Sequence, residues 1–154
     1  MRNAPRRLFD EVTGMNEETF LRLLLSPEGR IRRGHWWYGV GTLCGLLSLP
    51  GWAQRLFAAS SKVSYALLPL YLVVLAWPAY CVHAKRFQDR GKPPGFALAF
   101  VGLQFIAVSV AGSGYRPLDL IAAGVAACLT LWVVIELGVL KGTGGLNRFG
   151  EEPA

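Results

Sequence analysis

Four long apolar stretches, separated by short connections that carry nearly all the charge, restrict what this chain can fold into more than any other feature. They cover residues 36–53, 64–84, 95–112 and 118–140, about 18 to 23 residues each. A helix rising about 1.5 Å per residue needs that length to cross a hydrocarbon layer of about 30 Å. A helix on a soluble core shows a polar face every third or fourth position. The run Leu67 to Trp77 shows none, and neither does Leu131 to Ile135. Helices apolar all round belong in lipid or in a very large interior, which 154 residues do not supply. Strands of a membrane barrel would alternate apolar and polar positions, and nothing here alternates. The pattern predicts an all-α polytopic membrane protein with four transmembrane helices. Residues 1–35 form a cytoplasmic or interfacial N-terminal segment, 36–140 the four-helix domain and 141–154 a cytoplasmic tail.

The net charge of +6 raises nucleic acid as a partner, but its placement argues against that. Seven cations precede the first stretch: Arg2, Arg6, Arg7, Arg22, Arg30, Arg32 and Arg33. Lys85, Arg86, Arg90 and Lys92 lie between the second and third stretches, and Lys141 and Arg148 lie in the tail. The two remaining connections hold Arg55, Lys62 and Arg116. Cytoplasmic loops collect Lys and Arg, so both termini are expected in the cytoplasm, which requires an even number of spans. No cleavable signal peptide opens the sequence, and the first span is expected to act as an uncleaved insertion signal. Cys44, Cys81 and Cys128 fall in separate stretches without paired spacing, which predicts apolar packing rather than disulfides or zinc.

Ahead of the first span, Asn16 can cap a short helix with Glu17 and Glu18 in its first turn. Glu18 and Arg22 have ion-pair spacing, Phe20, Leu21, Leu24 and Leu25 share a side, and Ser26-Pro27 ends the segment. It reads as an interfacial helix lying on the membrane surface. Arg30 to Arg33 followed by Trp36, Trp37 and Tyr38 marks a head-group boundary, with Trp52 at the opposite one. Gly41 and Gly45 form a small-xxx-small pair, expected to pack within the monomer. Ala122 with Ala126, and Ala123 with Ala127, offer similar stripes. Gln104 is the polar interruption of the third stretch and should face another helix.

Few residues carry chemistry. Glu136 is the acidic residue embedded in an apolar stretch, and its distance of five residues from Lys141 predicts an ion pair with Arg86 or Arg90. His35 and His83 have no ligand cluster beside them and read as interfacial side chains, not metal ligands. No nucleophile motif is present, and Gly142 to Gly145 lack the G-K-[S/T] of a phosphate loop. No cofactor is implied. Arg30, Arg33, Arg86 and Arg90, with Lys85, Lys141 and Arg148, are expected to converge at head-group level. Asp89 and Glu136 are their counter-charges. Such a cluster suits anionic lipid or another phosphate-bearing ligand.

Three segments resemble motifs of a bacterial inner-membrane family, domain of unknown function 805. The first is Gly29 to Arg33 followed by Trp36-Trp37, the second Lys85 to Lys92, and the third Gly142 to Pro153. Their order and placement between spans cover nearly the whole chain from about residue 20. Gln88 stands where the family often has His, and Pro94-Gly95-Phe96 replaces a Gly-aromatic-aromatic ending. The resemblance implies a four-helix inner-membrane protein of unsettled function and no known catalytic residue. All three motifs fall on the cytoplasmic side, so Arg30, Arg86, Asp89, Asn147 and Arg148 are expected in one network, with Asp89 touching an arginine and Arg148 offering its fork to a carboxylate. The leading reading is a non-enzymatic membrane protein. Its cytoplasmic cluster of Arg30, Arg33, Arg86, Asp89, Arg90, Glu136, Asn147 and Arg148 binds anionic lipid or a membrane-protein partner, which includes a second copy of the chain. Alternatives are a small transporter or channel acting as an oligomer, and a lipid-modifying enzyme using Asp89 or Glu136.

Overall fold

The computed structural model describes residues 17–57, 61–111 and 114–153. Asn16 and its proposed cap lie outside them, as does the order of residues 1–16. The chain is all-helical. A short α1 (Glu17–Leu25) precedes α2 (Arg33–Phe57), α3 (Ser61–Asp89), α4 (Gly95–Val110) and α5 (Arg116–Val133), and α5 runs on into a π-helical segment over Val134–Val139. Each of α2 to α5 packs on the next, and the π segment returns to pack on α2, closing a four-helix arrangement. Among the described residues, one continuous run, Arg116–Val139, is by itself long and apolar enough to cross a bilayer, with a mean hydropathy of 2.3. Gly95–Val110 is apolar but shorter, at 16 residues.

Helix boundaries differ from the apolar boundaries in ways that matter for the site. The prolines do not end helices: Pro50 sits inside α2, and α3 runs unbroken past Pro69 and Pro78. The charged residues after 84 are therefore the last turn of α3, not a loop. That turn stops at Gly91, whose φ of 70° is the left-handed conformation glycine adopts without Cβ strain. Lys92 N donates to Phe87 O at 2.8 Å and Gly91 N to Gln88 O at 3.0 Å, the paired bonds of a Schellman stop. The stop turns Lys92 back toward the bundle.

Helix α1 does not lie free on a surface. Leu23 is buried against α3, with Phe20 and Leu24 packed beside it, while Leu21 and Leu25 stay exposed. The stripe is thus Phe20, Leu23 and Leu24, at the i, i+3, i+4 spacing of one helical face. Three α3 side chains satisfy the open carbonyls at its C-terminal end. Lys85 Nζ donates to Arg22 O, Trp77 Nε1 to Leu25 O at 3.0 Å, and Gln88 Nε2 to Pro27 O at 2.9 Å.

The packed core sits at one end of the bundle. Trp36, Val82, Phe87, Ala97, Phe100, Val133 and Leu137 belong to it. Phe87 lies 5.8 Å from Phe96 and 5.9 Å from Trp132 between ring centroids. His83 is not an interfacial side chain: it is 8% exposed, wedged between Trp36 and Phe100, with Nδ1 2.6 Å from Ala79 O. Close helix approach also falls elsewhere than expected. A Cβ on Gly41 or Gly45 would meet nothing within 4 Å, so neither lies in a monomer interface, whereas one on Gly39 would meet Val82 at 2.9 Å. Gln104 does face a neighbour, donating to Thr130 Oγ1 at 3.2 Å.

Gly138, in the π segment, is the tightest of these contacts between elements. An added Cβ would lie 2.7 Å from Trp37 Cζ2 and 2.8 Å from Trp36 Cζ3. Gly138→Ala is expected to destabilise the protein by about 1–3 kcal/mol through overpacking. Gly124→Ala, where nothing lies within 4 Å, should instead be neutral or stabilising by up to about 1 kcal/mol. Thermal unfolding followed by circular dichroism separates the two outcomes.

Candidate functional site

Asp89 ends α3 with its carboxylate in a 3% exposed position, which is unfavourable for a charge unless it is paired. Two guanidiniums pair it. Arg30 Nε lies 3.1 Å from Oδ1, and Arg86 Nη1 donates to Oδ2. Asp89 thereby joins the segment before α2 to the end of α3.

Each arginine also reaches further, because a guanidinium carries five donors in a fixed fork. Arg86, 1% exposed, donates from Nε to Leu137 O at 2.8 Å, from Nη2 to Leu140 O at 2.7 Å and from Nη1 to Ile31 O at 3.3 Å. The π segment supplies the first of these acceptors, since its i→i−5 bonding, seen in Leu140 N to Ile135 O at 3.1 Å, frees carbonyls that an α-helix would keep. Trp37 Nε1 takes another, Gly138 O, at 3.3 Å. Arg30 donates to three tail carbonyls: Thr143 O at 2.5 Å, Gly145 O at 2.7 Å and Gly150 O at 3.0 Å.

The tail is built around these contacts. Thr143 N and Oγ1 both donate to Asp89 O, at 2.9 and 2.8 Å. Gly142 packs against the Asp89 carboxylate so closely that a Cβ there would collide with it. Asn147 Nδ2 donates to Gln88 O at 3.1 Å and Thr143 Oγ1 at 2.9 Å, while its Oδ1 accepts from Phe149 N at 2.8 Å. Arg148 binds no carboxylate among the described residues. It donates to Gly91 O at 2.9 Å and stacks on Phe149.

A second ion-pair group lies beside the first. Glu136 Oε1 receives Arg90 Nε at 3.1 Å and Lys92 Nζ at 2.7 Å, and Arg90 Nη1 donates to Lys141 O at 2.5 Å. Arg86 is therefore committed to Asp89, and the second partner of Glu136 is Lys92, which the Schellman stop delivers. Of the sequence candidates, Arg30, Arg86, Asp89 and Asn147 share one network, Arg90 and Glu136 form the adjacent pair, and Arg148 braces the turn at Gly91. Arg33 joins neither group. The contributors that side-chain chemistry did not flag are Gly142, Thr143, Gln88 and Lys92.

Beside the network lies a cleft of about 820 Å³. Its walls are Arg32 just before α2, Arg33, His35 and Tyr38 from the start of α2, Lys141 to Gly144 from the tail, and Glu152 and Pro153. Arg32 Nε donates to Pro153 O at 3.1 Å, and Glu152 Oε2 accepts from Gly145 N at 2.8 Å. Burial, reinforced by the Arg32 charge, lowers the His35 imidazole from its ordinary value. Burial likewise lowers Lys85, whose nearest acceptor is a neutral carbonyl. No group of three or more His, Cys, Asp or Glu suited to a metal occurs among the described residues.

This geometry falls within the three motif segments noted in the sequence, and the profile of the family described as "Protein of unknown function (DUF805)" matches residues 24–151. The chain belongs to the DUF805 family. It is similar to the uncharacterized protein YiiR of Escherichia coli strain K12, at 28% identity over 140 residues, covering 87% of this chain and 90% of that protein. The YiiR of Escherichia coli O157:H7 matches to the same extent. No solved structure matches the chain. In this DUF805 chain the match spans α2 to the tail, and so includes every residue of the Asp89 network.

If Asp89 neutralises two buried guanidiniums, removing its charge should cost far more than breaking a solvated pair. Asp89→Asn is expected to lower stability by about 3–5 kcal/mol. Glu18→Ala breaks a 2.7 Å pair whose side chains are 73–74% exposed, and should cost under about 1 kcal/mol. Chemical denaturation of the two variants measures the contrast.

Proposed function

We propose that this chain is a four-span, non-enzymatic inner-membrane protein. Its cytoplasmic face gathers the N-terminal segment and tail into one polar module and engages anionic lipid. In this reading residues 1–35 are the cytoplasmic or interfacial segment, 36–140 the transmembrane domain and 141–154 the cytoplasmic tail. The observation that carries it is an inverted distribution of polarity. Arg86 and Asp89 are 1% and 3% exposed, whereas Leu70, Leu98 and Leu120 are 64%, 64% and 69% exposed. Val73, Val74, Ile106, Ile121 and Leu131 are exposed with them, spread over α3, α4 and α5. Leaving one such side chain in water forgoes about 1.5–3 kcal/mol. A band of them around several helices matches a lipid surround.

Length and layout support the same reading. Helices of 25, 29 and 24 residues reach about 37, 43 and 36 Å, while α4, at 16 residues, reaches about 24 Å. The start of α2 and the end of the π segment meet at Trp37 and Gly138, as a chain with both ends on one side requires. The transporter and lipid-modifying readings draw less support: Gln104 is bonded to Thr130, and Asp89 and Glu136 are held in ion pairs. Cytoplasmic topology rests on the excess of Lys and Arg at the networked end.

Three measurements test this. The protein should resist extraction from membranes by alkaline carbonate, and reporters fused at either end should both face the cytoplasm. Reporters on opposite sides sink the four-span arrangement. Purified protein in bilayer discs should gain thermal stability as phosphatidylglycerol replaces phosphatidylcholine, and the gain should shrink between 0.05 and 0.5 M salt as charges are screened (about 10 Å Debye length at 0.1 M). Equal stability in both lipids rejects anionic-lipid engagement.

A further inference from the structure

We infer that the cleft between the start of α2 and the tail is a binding site for one anionic phospholipid, with its phosphate between Arg33 and Lys141. The inference rests on the membrane reading above and names the site at which that lipid engagement occurs.

The cations of this face divide into two sets. Arg30, Arg86, Arg90 and Lys92 are bound to carboxylates or carbonyls of the protein. Arg33 and Lys141 have no such partner among the described residues, yet both line the same cleft of about 820 Å³. Two cations left unneutralised among the described residues, both lining one formed cavity, point to an anion supplied from outside. Arg86 and Asp89 also line the cleft and are fixed by the network. Its remaining donors suit a phosphate. Gly34 and His35 lie in the first turn of α2, where main-chain N–H groups lack intrahelical acceptors.

Phosphate could come from lipid or from a soluble ester, and the surroundings favour lipid. Beside the cleft, Trp37, Val139 and Leu140 are exposed apolar residues at 46%, 57% and 38%. They sit where α2 meets the π segment, joined by the Trp37 to Gly138 bond. A ligand with a phosphate in the cleft therefore has an apolar surface adjoining it for acyl chains. A soluble phosphate ester has no use for that surface. Glu152, also in the cleft wall, carries the one charge that opposes the anion and is not paired with an arginine or lysine side chain.

The test uses the full chain in nonionic detergent, titrated with short-chain phosphatidylglycerol, phosphatidylcholine and glycerol 3-phosphate. Wild type should bind phosphatidylglycerol in preference to the other two. Arg33→Gln combined with Lys141→Gln should weaken that binding roughly twenty-five-fold, at about fivefold per cation. Arg33→Lys should restore part of it, and Glu152→Gln should tighten it severalfold. Both residues are exposed and unpaired, so unfolding midpoints should stay near wild type, which separates lost binding from lost fold. If wild type prefers phosphatidylglycerol but the double variant binds it equally well, the site is wrong and the wider lipid reading survives. If wild type shows no preference, that wider reading fails as well. Glycerol 3-phosphate binding as tightly as phosphatidylglycerol overturns the assignment to lipid.

Discussion

One carboxylate holds the polar end of this protein together. Asp89 is buried, and its carboxylate is paired because Arg30 and Arg86 approach it from two different segments. Each guanidinium then has donors left over, and these determine where the rest of the chain must go. Arg86 needs acceptors at the end of α5, which the π segment and Leu140 provide. Arg30 needs acceptors outside the helices, and the tail winds round it to supply them at Thr143, Gly145 and Gly150. Gly142 is required because no side chain fits against the carboxylate at that point. The tail is ordered by an electrostatic demand in α3 and not by an apolar core of its own.

This arrangement reverses the usual distribution of packing. The stretch from Cys81 to Asp89 is buried throughout and contains His83, Lys85, Arg86, Gln88 and Asp89. Apolar side chains of the mid-helix regions are exposed instead. Helix packing is tightest where Trp36, Trp37, Gly39, Val82 and Gly138 meet, just inside the polar end. In the lipid surround proposed above, helices associating without water-driven burial along their length gain most from one well-packed, hydrogen-bonded end. Removing polar groups from that end takes away the constraint that registers the helices.

Much of this was legible in the sequence, and the misses share a cause. Helical class followed from the length and all-round apolarity of four stretches. The grouping of Arg30, Arg86, Asp89 and Asn147 was readable because the three motif segments that hold them all fall on the same side of the apolar stretches. Lys92 was missed as the partner of Glu136 because it depends on the Gly91 stop, which reverses the chain within two residues. Thr143 and Gly142 were missed because one acts largely through its main chain and the other by lacking a side chain. Leu23 was passed over for its neighbours, since a nine-residue helix with five apolar residues does not say which face turns inward until the partner helix is known. Gly41 and Gly45 matched a packing motif by spacing, but the contact falls at Gly39, one position that spacing cannot single out.

The charge balance of the network has a further consequence. Arg30, Arg86, Arg90 and Lys92 face only Asp89 and Glu136 as carboxylates. The excess positive charge is met by main-chain carbonyls: Leu137, Leu140 and Lys141 at the end of α5, with Thr143, Gly145 and Gly150 in the tail. Carbonyls at a helix C-terminus carry the negative end of its dipole, so they serve as fractional counter-charges. Lys85 and Gln88 meet the end of α1 in the same way. The basic residues that would set orientation in a membrane thus also close the open ends of two helices. Neutralising one of them removes a helix cap, an effect not shared by cations such as Arg33 and Lys141, which cap nothing among the described residues.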